Sequence, residues 1–118
     1  MLREKISTIR ILLVFFIIAS LLTAKVYAYD VAPNFTLTDI DGNEFSLSDF
    51  LGKVVILDFF GSRCGPCLAE MPHLKTLREE FGEDVLAIIS IGVSYADTVE
   101  SLKQIREKYG IDWALAVD

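Results

Sequence analysis

The sequence predicts an α/β domain in which parallel strands alternate with helices behind a small β-hairpin. Three observations predict it. Two continuous apolar runs of strand length, "VVILDFF" at 54–60 and "VLAIISIGV" at 85–93, lack the in-out alternation of half-exposed strands and read as buried ones. Each is followed by a segment whose apolar residues recur every three or four positions, the period of an amphipathic helix. A third apolar stretch, "DWALAV", begins at Asp112. The order strand–helix–strand–helix–strand implies parallel pairing through right-handed crossovers.

Taken in order, the chain opens with Arg3, Lys5 and Arg10 against Glu4, and then "ILLVFFIIASLL", an almost wholly apolar run from Ile11 to Leu22. A basic start, a short apolar run and small side chains near Val26 and Ala28 are the pattern of an export signal. Residues 1–28 are expected to be a signal peptide cleaved after Ala28. The alternative is an uncleaved anchor that tethers the chain to a membrane through Ile11–Leu22, a run short of the roughly 20 residues of a full span. Either way, residues 29–118 are expected to be a single domain in the periplasm or another extracytoplasmic space.

After a linker from Tyr29 to Pro33, Phe35 and Leu37, then Phe45 and Leu47, alternate with polar residues around Asp41-Gly42. That predicts two short strands joined by a turn. Ser48 begins a helical turn that Gly52 ends. Val54 to Phe60 reads as a central strand covered on both faces, and Asp58 is a carboxyl out of place in it. A helix is predicted from Cys64 or Gly65 to Phe81, with Leu68, Met71, Leu74, Leu77 and Phe81 as its apolar stripe. Pro72 should kink it, because proline lacks a donor and its ring crowds the preceding turn. Gly82 ends it. Asp97 is expected to cap the next helix, with Glu100 completing a capping box. Val99, Leu102 and Ile105 are expected to face inward, and Gly110 to close that helix.

Charge excludes some partners. From Tyr29 onward the chain has 7 Lys and Arg against 16 Asp and Glu, a formal −9; the first 28 residues add four basic residues and one acid, giving −6 overall. Such a surface does not suit nucleic acid or anionic lipid, which need a basic patch. Solubility accounts for it.

The chemistry lies in "FFGSRCGPCLAEMP", which holds the only two cysteines, Cys64 and Cys67. A structural zinc site wants four ligands. This chain offers one pair and one histidine, His73, which reads as a solvent-facing helix residue, so no metal and no cofactor are expected. As a staple, a disulfide across so short a gap removes little entropy from the unfolded chain. Redox chemistry fits better. Cys64 falls at a helix N-terminus, where unpaired N–H groups and the helix dipole favour the thiolate. Cys67 is one turn on, on the same face. Gly65 leaves room for a partner's backbone, and Pro66 suits the first helical turn. Cys64 would attack a substrate disulfide and Cys67 would resolve the mixed disulfide. Asp58, on the strand leading to the site, would exchange a proton with Cys67.

These segments resemble the thioredoxin-like superfamily, and within it the exported TlpA/ResA-type, redoxin or AhpC/TSA-like, thiol–disulfide oxidoreductases. "APNFTLTDIDGNEFSLSDFLGKVVILDFF" resembles the family's hairpin and first central strand. "CGPC" with "EMPHL" resembles its active-site helix, Pro72 matching the kink, and "KYGIDWALAVD" the segment before its third strand. The resemblance implies a thioredoxin-like fold with an N-terminal hairpin, and extracytoplasmic reduction of protein disulfides, often of apocytochrome c. It implies a membrane or extracytoplasmic thiol donor as partner. Two departures stand out. The family usually has Trp before the first cysteine, and here Arg63 either places a cation beside Cys64 or reflects drift at an exposed position. The family fold also continues with a cis-proline loop, two antiparallel strands and a last helix, none of which is in this sequence. The expectation is a truncated or decayed copy, and the alternative function is a non-catalytic binding module. A peroxiredoxin would need Thr and Pro where this chain has Gly61 and Leu57, which argues against peroxide reduction.

Overall fold

The computed structural model describes residues 30–118 and, before them, residues 1–3, 5, 6, 9, 10 and 12–14. Most of the expected signal or anchor, with the larger part of Ile11–Leu22 and the cleavage point after Ala28, lies outside the described residues. The chain divides into two units, Met1–Ala32 and Pro33–Asp118. In the first, the described residues from Leu2 to Val14 are helical. No described helix is long and apolar enough to cross a membrane.

The second unit begins with the hairpin of β1 (Thr36–Thr38) and β2 (Glu44–Ser46), paired antiparallel with Leu37 opposite Phe45. Asp39 organises the turn: its Oδ1 accepts the backbone N–H groups of Asp41 and Asn43, at 2.9 and 2.8 Å. Gly42 sits at φ +90°, a backbone that glycine adopts without a Cβ penalty. A 3-10 turn follows at Leu47–Phe50. It starts one residue before Ser48, because the Asp49 carboxylate accepts the N–H of Ser46 at 2.7 Å and makes Ser46 the cap.

The main sheet is three parallel strands in the order β3 (Val54–Phe60), β4 (Leu86–Gly92), β5 (Ala114–Val117). Helix α1 (Gly65–Phe81) joins β3 to β4, and α2 (Val99–Tyr109) joins β4 to β5. The parallel α/β expectation is met. The hairpin docks along the β5 edge of this sheet: Ile40 is buried, its N–H donates to the Leu115 carbonyl at 2.8 Å, and Asp39 bridges to Ala116. The Arg106 guanidinium on α2 pairs with Asp41 at 2.6 Å. The core gathers Ile40, Phe60, Met71, Ile88, Leu102 and Leu115.

Three expectations are corrected. The strand covered on both faces is β4, all seven of whose residues are buried. Among the described residues β3 pairs on one side only, and its Phe59 is 60% exposed. Two similar apolar runs do not disclose which lies in the middle; long-range pairing decides that. Secondly, Thr98 rather than Asp97 caps α2. Its side chain accepts the N–H of Ser101, and the Ser101 hydroxyl accepts the N–H of Thr98, so Ser101 takes the place foreseen for Glu100. Thirdly, Val99 is exposed, while Leu102 and Ile105 are buried: Val99 is the first residue of the helix, and the inward face is buried only from the next turn on. On α1, Met71 and Leu74 are buried, and Leu77 and Phe81 at its end are exposed. The helix runs without a break through Pro72.

Candidate active site

Strand β3 delivers the chain to the C-terminal edge of the sheet. Gly61, Ser62 and Arg63 then turn it into α1, with the N–H of Cys64 donating to the Gly61 carbonyl at 3.0 Å. Cys64 is the N-cap of α1, extended at φ −85° and ψ 100°, and Gly65 and Pro66 form the first helical turn. At that end the first N–H groups have no partner within the helix. One of them, from Cys67, donates to Cys64 Sγ at 3.3 Å. Cys64 and Cys67 are joined in a disulfide, with Cα atoms 5.2 Å apart. An N–H aimed at sulfur, at the positive end of a helix of this length, stabilises a thiolate when the bridge is reduced.

Asp58 and Cys67 line one hollow of about 420 Å³, together with Phe59, Pro66, Glu70 and Leu74. Asp58 is half-buried. Burial pushes its carboxyl up from the usual 3.8; the hydrogen bond from Ser90 opposes this, and the Glu70 charge adds to the rise. The Ser90 hydroxyl donates to Asp58 Oδ2 at 2.8 Å, and the Trp113 indole Nε1–H donates to Ser90 Oγ at 2.9 Å. Ser90 is fully buried and Trp113 nearly so.

Gly65 is exposed, and a Cβ there would meet nothing within 4 Å. Pro66 lines the Asp58 hollow. Pro72 is exposed two turns along α1, where its carbonyl accepts the Thr76 hydroxyl at 3.0 Å. His73 is exposed on the same helix. Arg63 is exposed and lines a second hollow of about 330 Å³ with Ser62, Leu68, Ile105, Lys108 and Tyr109. If the Arg63 cation assists Cys64, alkylation of reduced Cys64 near neutral pH should slow about two- to fivefold in Arg63→Trp, the scale of an exposed charge pair. An unchanged rate would mark position 63 as drift.

Four contributors escaped the sequence reading. Glu70 follows Cys67 by one turn, and that spacing was the available signal. Ser90 was visible as the one polar side chain in an apolar run, and it occupies the fifth position of β4 as Asp58 does of β3. Trp113 carried no signal. Asp97, expected at the start of α2, serves the turn before Cys64 instead. It is 7% exposed, and its two oxygens accept the N–H groups of Ser62 and Ser94, each at 2.8 Å. It thereby ties the turn before Cys64 to the loop after β4. Burial alone would raise its carboxyl; the hydrogen bonds from Ser62 and Ser94 outweigh that and hold it below 3.8. Gly92 lies against it, since a Cβ there would stand 3.0 Å from Asp97 Oδ2.

A hairpin leading into an α/β sheet, with a Cys-x-x-Cys disulfide at the N-terminus of the helix after β3, is the arrangement of a thioredoxin-like fold. The model of the AhpC/TSA family matches residues 28–118, and the chain belongs to that family. It is similar to the thiol-disulfide oxidoreductases ResA of Bacillus thuringiensis (strain Al Hakam), 36% identical, and of Geobacillus kaustophilus, 34% identical. Each match runs over 87 residues, 74% of this chain and 49% of the relative. The chain thus spans about half the length of these curated relatives. Among solved structures it resembles the thioredoxin domain of a thiol-disulfide oxidoreductase from Bacteroides vulgatus. The TM-score is 0.64 at 31% identity, over 75% of this chain and 61% of that one. A thiol:disulfide interchange protein from Bacteroides sp. also matches at TM-score 0.64 and 31% identity, over 75% and 57%.

Proposed function

We propose that this chain carries the active site of an extracytoplasmic thiol–disulfide oxidoreductase that reduces protein disulfides. The observation that supports it most is Cys64 at the N-cap of α1, bridged to Cys67 and facing the Cys67 N–H. In the reduced protein the Cys64 thiolate attacks a substrate disulfide. One substrate sulfur leaves as a thiol, and the other is held in a mixed disulfide with Cys64. Cys67 then loses its proton to Asp58, and its thiolate attacks Cys64 Sγ. The Cys64–substrate bond breaks, the Cys64–Cys67 bond forms, and the second substrate sulfur departs and takes up a proton. A membrane or extracytoplasmic thiol donor returns the bridge to two thiols.

The location rests on the N-terminal sequence: residues 1–28 as signal or anchor, residues 29–118 as the exported domain. The resemblance to TlpA/ResA-type proteins favours apocytochrome c as one substrate. The direct test is dithiothreitol-driven reduction of a model protein disulfide by the full chain. Turnover above the dithiothreitol background supports the proposal, and its absence from a folded, soluble sample refutes it. A second reading, a non-catalytic binding module, is favoured by Phe59, exposed on a strand paired on one side among the described residues.

Asp58→Asn should slow resolution of the mixed disulfide on the order of 10²-fold near neutral pH, at the low end for a positioned acid–base group. Stopped-flow release of the substrate thiol measures it; an unchanged rate removes Asp58 from the mechanism. The same variant should be more stable than the parent at neutral pH. The native state holds the Asp58 proton to a higher pH than the unfolded chain does. Stability from this group is therefore full below 3.8 and is lost as pH rises through the folded value. Urea midpoints of the two proteins should converge below that range.

A further inference from the structure

Trp113, Ser90 and Asp58 come from three different strands or their flanks, and they meet because the sheet sets them in register. Asp58 on β3 stands opposite Ser90 on β4. Trp113 immediately precedes β5, the other neighbour of β4. The hydrogen bonds along this line have a fixed direction. An indole Nε1–H can only donate, so Ser90 Oγ must accept from it. The serine hydroxyl has one proton, and with its oxygen engaged by Trp113 that proton is given to Asp58 Oδ2. Ser90 is fully buried, and no buried side-chain N or O among the described residues lacks a partner. Turning the hydroxyl away would leave its buried proton without an acceptor.

We propose that Trp113 and Ser90 are positioning residues that hold Oδ2 of Asp58 as a permanent acceptor, so that Oδ1 alone binds and releases the proton exchanged with Cys67. The proposal deepens, and rests on, the reading of Asp58 as the acid–base group for Cys67. It gives the buried end of the site a function: a carboxyl with two equivalent oxygens becomes one with a single working oxygen. Among the described residues, the titratable groups sharing the Asp58 hollow are Cys67 and Glu70, both on α1. Ser90 is the polar group facing Asp58 from β4. In the oxidised protein the cysteines do not titrate, which leaves Asp58 and Glu70 to be told apart.

Trp113 is the only tryptophan in the chain, so it reports on this line without ambiguity. The experiment is an NMR titration of the oxidised full chain, following the Trp113 indole N–H and the Asp58 carboxyl carbon together. The expected result is a single shared midpoint that survives Glu70→Gln, with an indole response that is flat in Asp58→Asn. Ser90→Ala should uncouple the indole from Asp58 and move the Asp58 midpoint to higher pH, since the carboxylate loses a donor. Trp113→Phe should move it the same way by less, because Ser90 is freed to turn. The pH profile of mixed-disulfide resolution should follow the Asp58 midpoint in both variants. An indole that stays flat while Asp58 titrates overturns the proposal. So does a Ser90→Ala protein whose Asp58 midpoint is unmoved. A coupled indole in a protein whose resolution rate ignores Asp58→Asn confirms the fixed hydrogen-bond direction but overturns the acid–base reading of Asp58, so the two failures are distinct.

Discussion

Cys64→Ser is expected to reduce turnover of a protein disulfide to the background of dithiothreitol alone, and Cys67→Ser to do something different. A serine hydroxyl at position 64 is not ionised near neutral pH, whatever the helix N-terminus offers it, so no mixed disulfide forms. In Cys67→Ser the nucleophile is intact and the resolving thiol is missing. That protein should attack once and stop, accumulating a mixed disulfide visible as a reducible mass adduct or gel shift. The asymmetry follows from position: Cys64 caps α1, and Cys67 lies one turn inside it beside the Asp58 hollow. If both variants trapped substrate equally, the assignment of roles would be wrong. If Cys64→Ser still captured protein partners with undiminished affinity, the binding-module reading would gain.

The second large effect is expected away from the sulfur atoms. Asp97→Ala leaves the N–H groups of Ser62 and Ser94 without the acceptor that now takes both. Losing a charged acceptor from two part-buried donors costs about 2–4 kcal/mol. For a domain of this size that lowers Tm by roughly 10 °C or more. Because the folded carboxyl lies below 3.8, the stabilisation is present above that value and fades as pH falls through the folded one. The gap between parent and variant should therefore be widest near neutral pH and shrink on acidification. Calorimetry across that range measures it. A Tm unchanged at neutral pH would mean that the two N–H groups find other acceptors.

Much of the site was legible because it is local. Cys64, Gly65, Pro66 and Cys67 are consecutive, and a strand followed by a helix places them at the helix start whatever the rest of the chain does. The hairpin and the inward face of α1 at Met71 and Leu74 follow from periodicities of two and of three to four. Asp58 could be singled out because a carboxyl inside an apolar run is anomalous in itself.

The kind of each element and the chemistry at the start of α1 are local properties, set by residues within a turn or two of one another. Folding of the whole chain settles which strand lies in the middle, that Asp97 serves the turn before Cys64 rather than the helix beside it, and that Asp58 takes its hydrogen bond from Ser90 and, through it, feels Trp113. Those contacts join residues 23 to 35 positions apart. They depend on the register of β3 with β4 and of β4 with β5, and register is settled by packing the whole sheet at once. Local pattern carries no record of it.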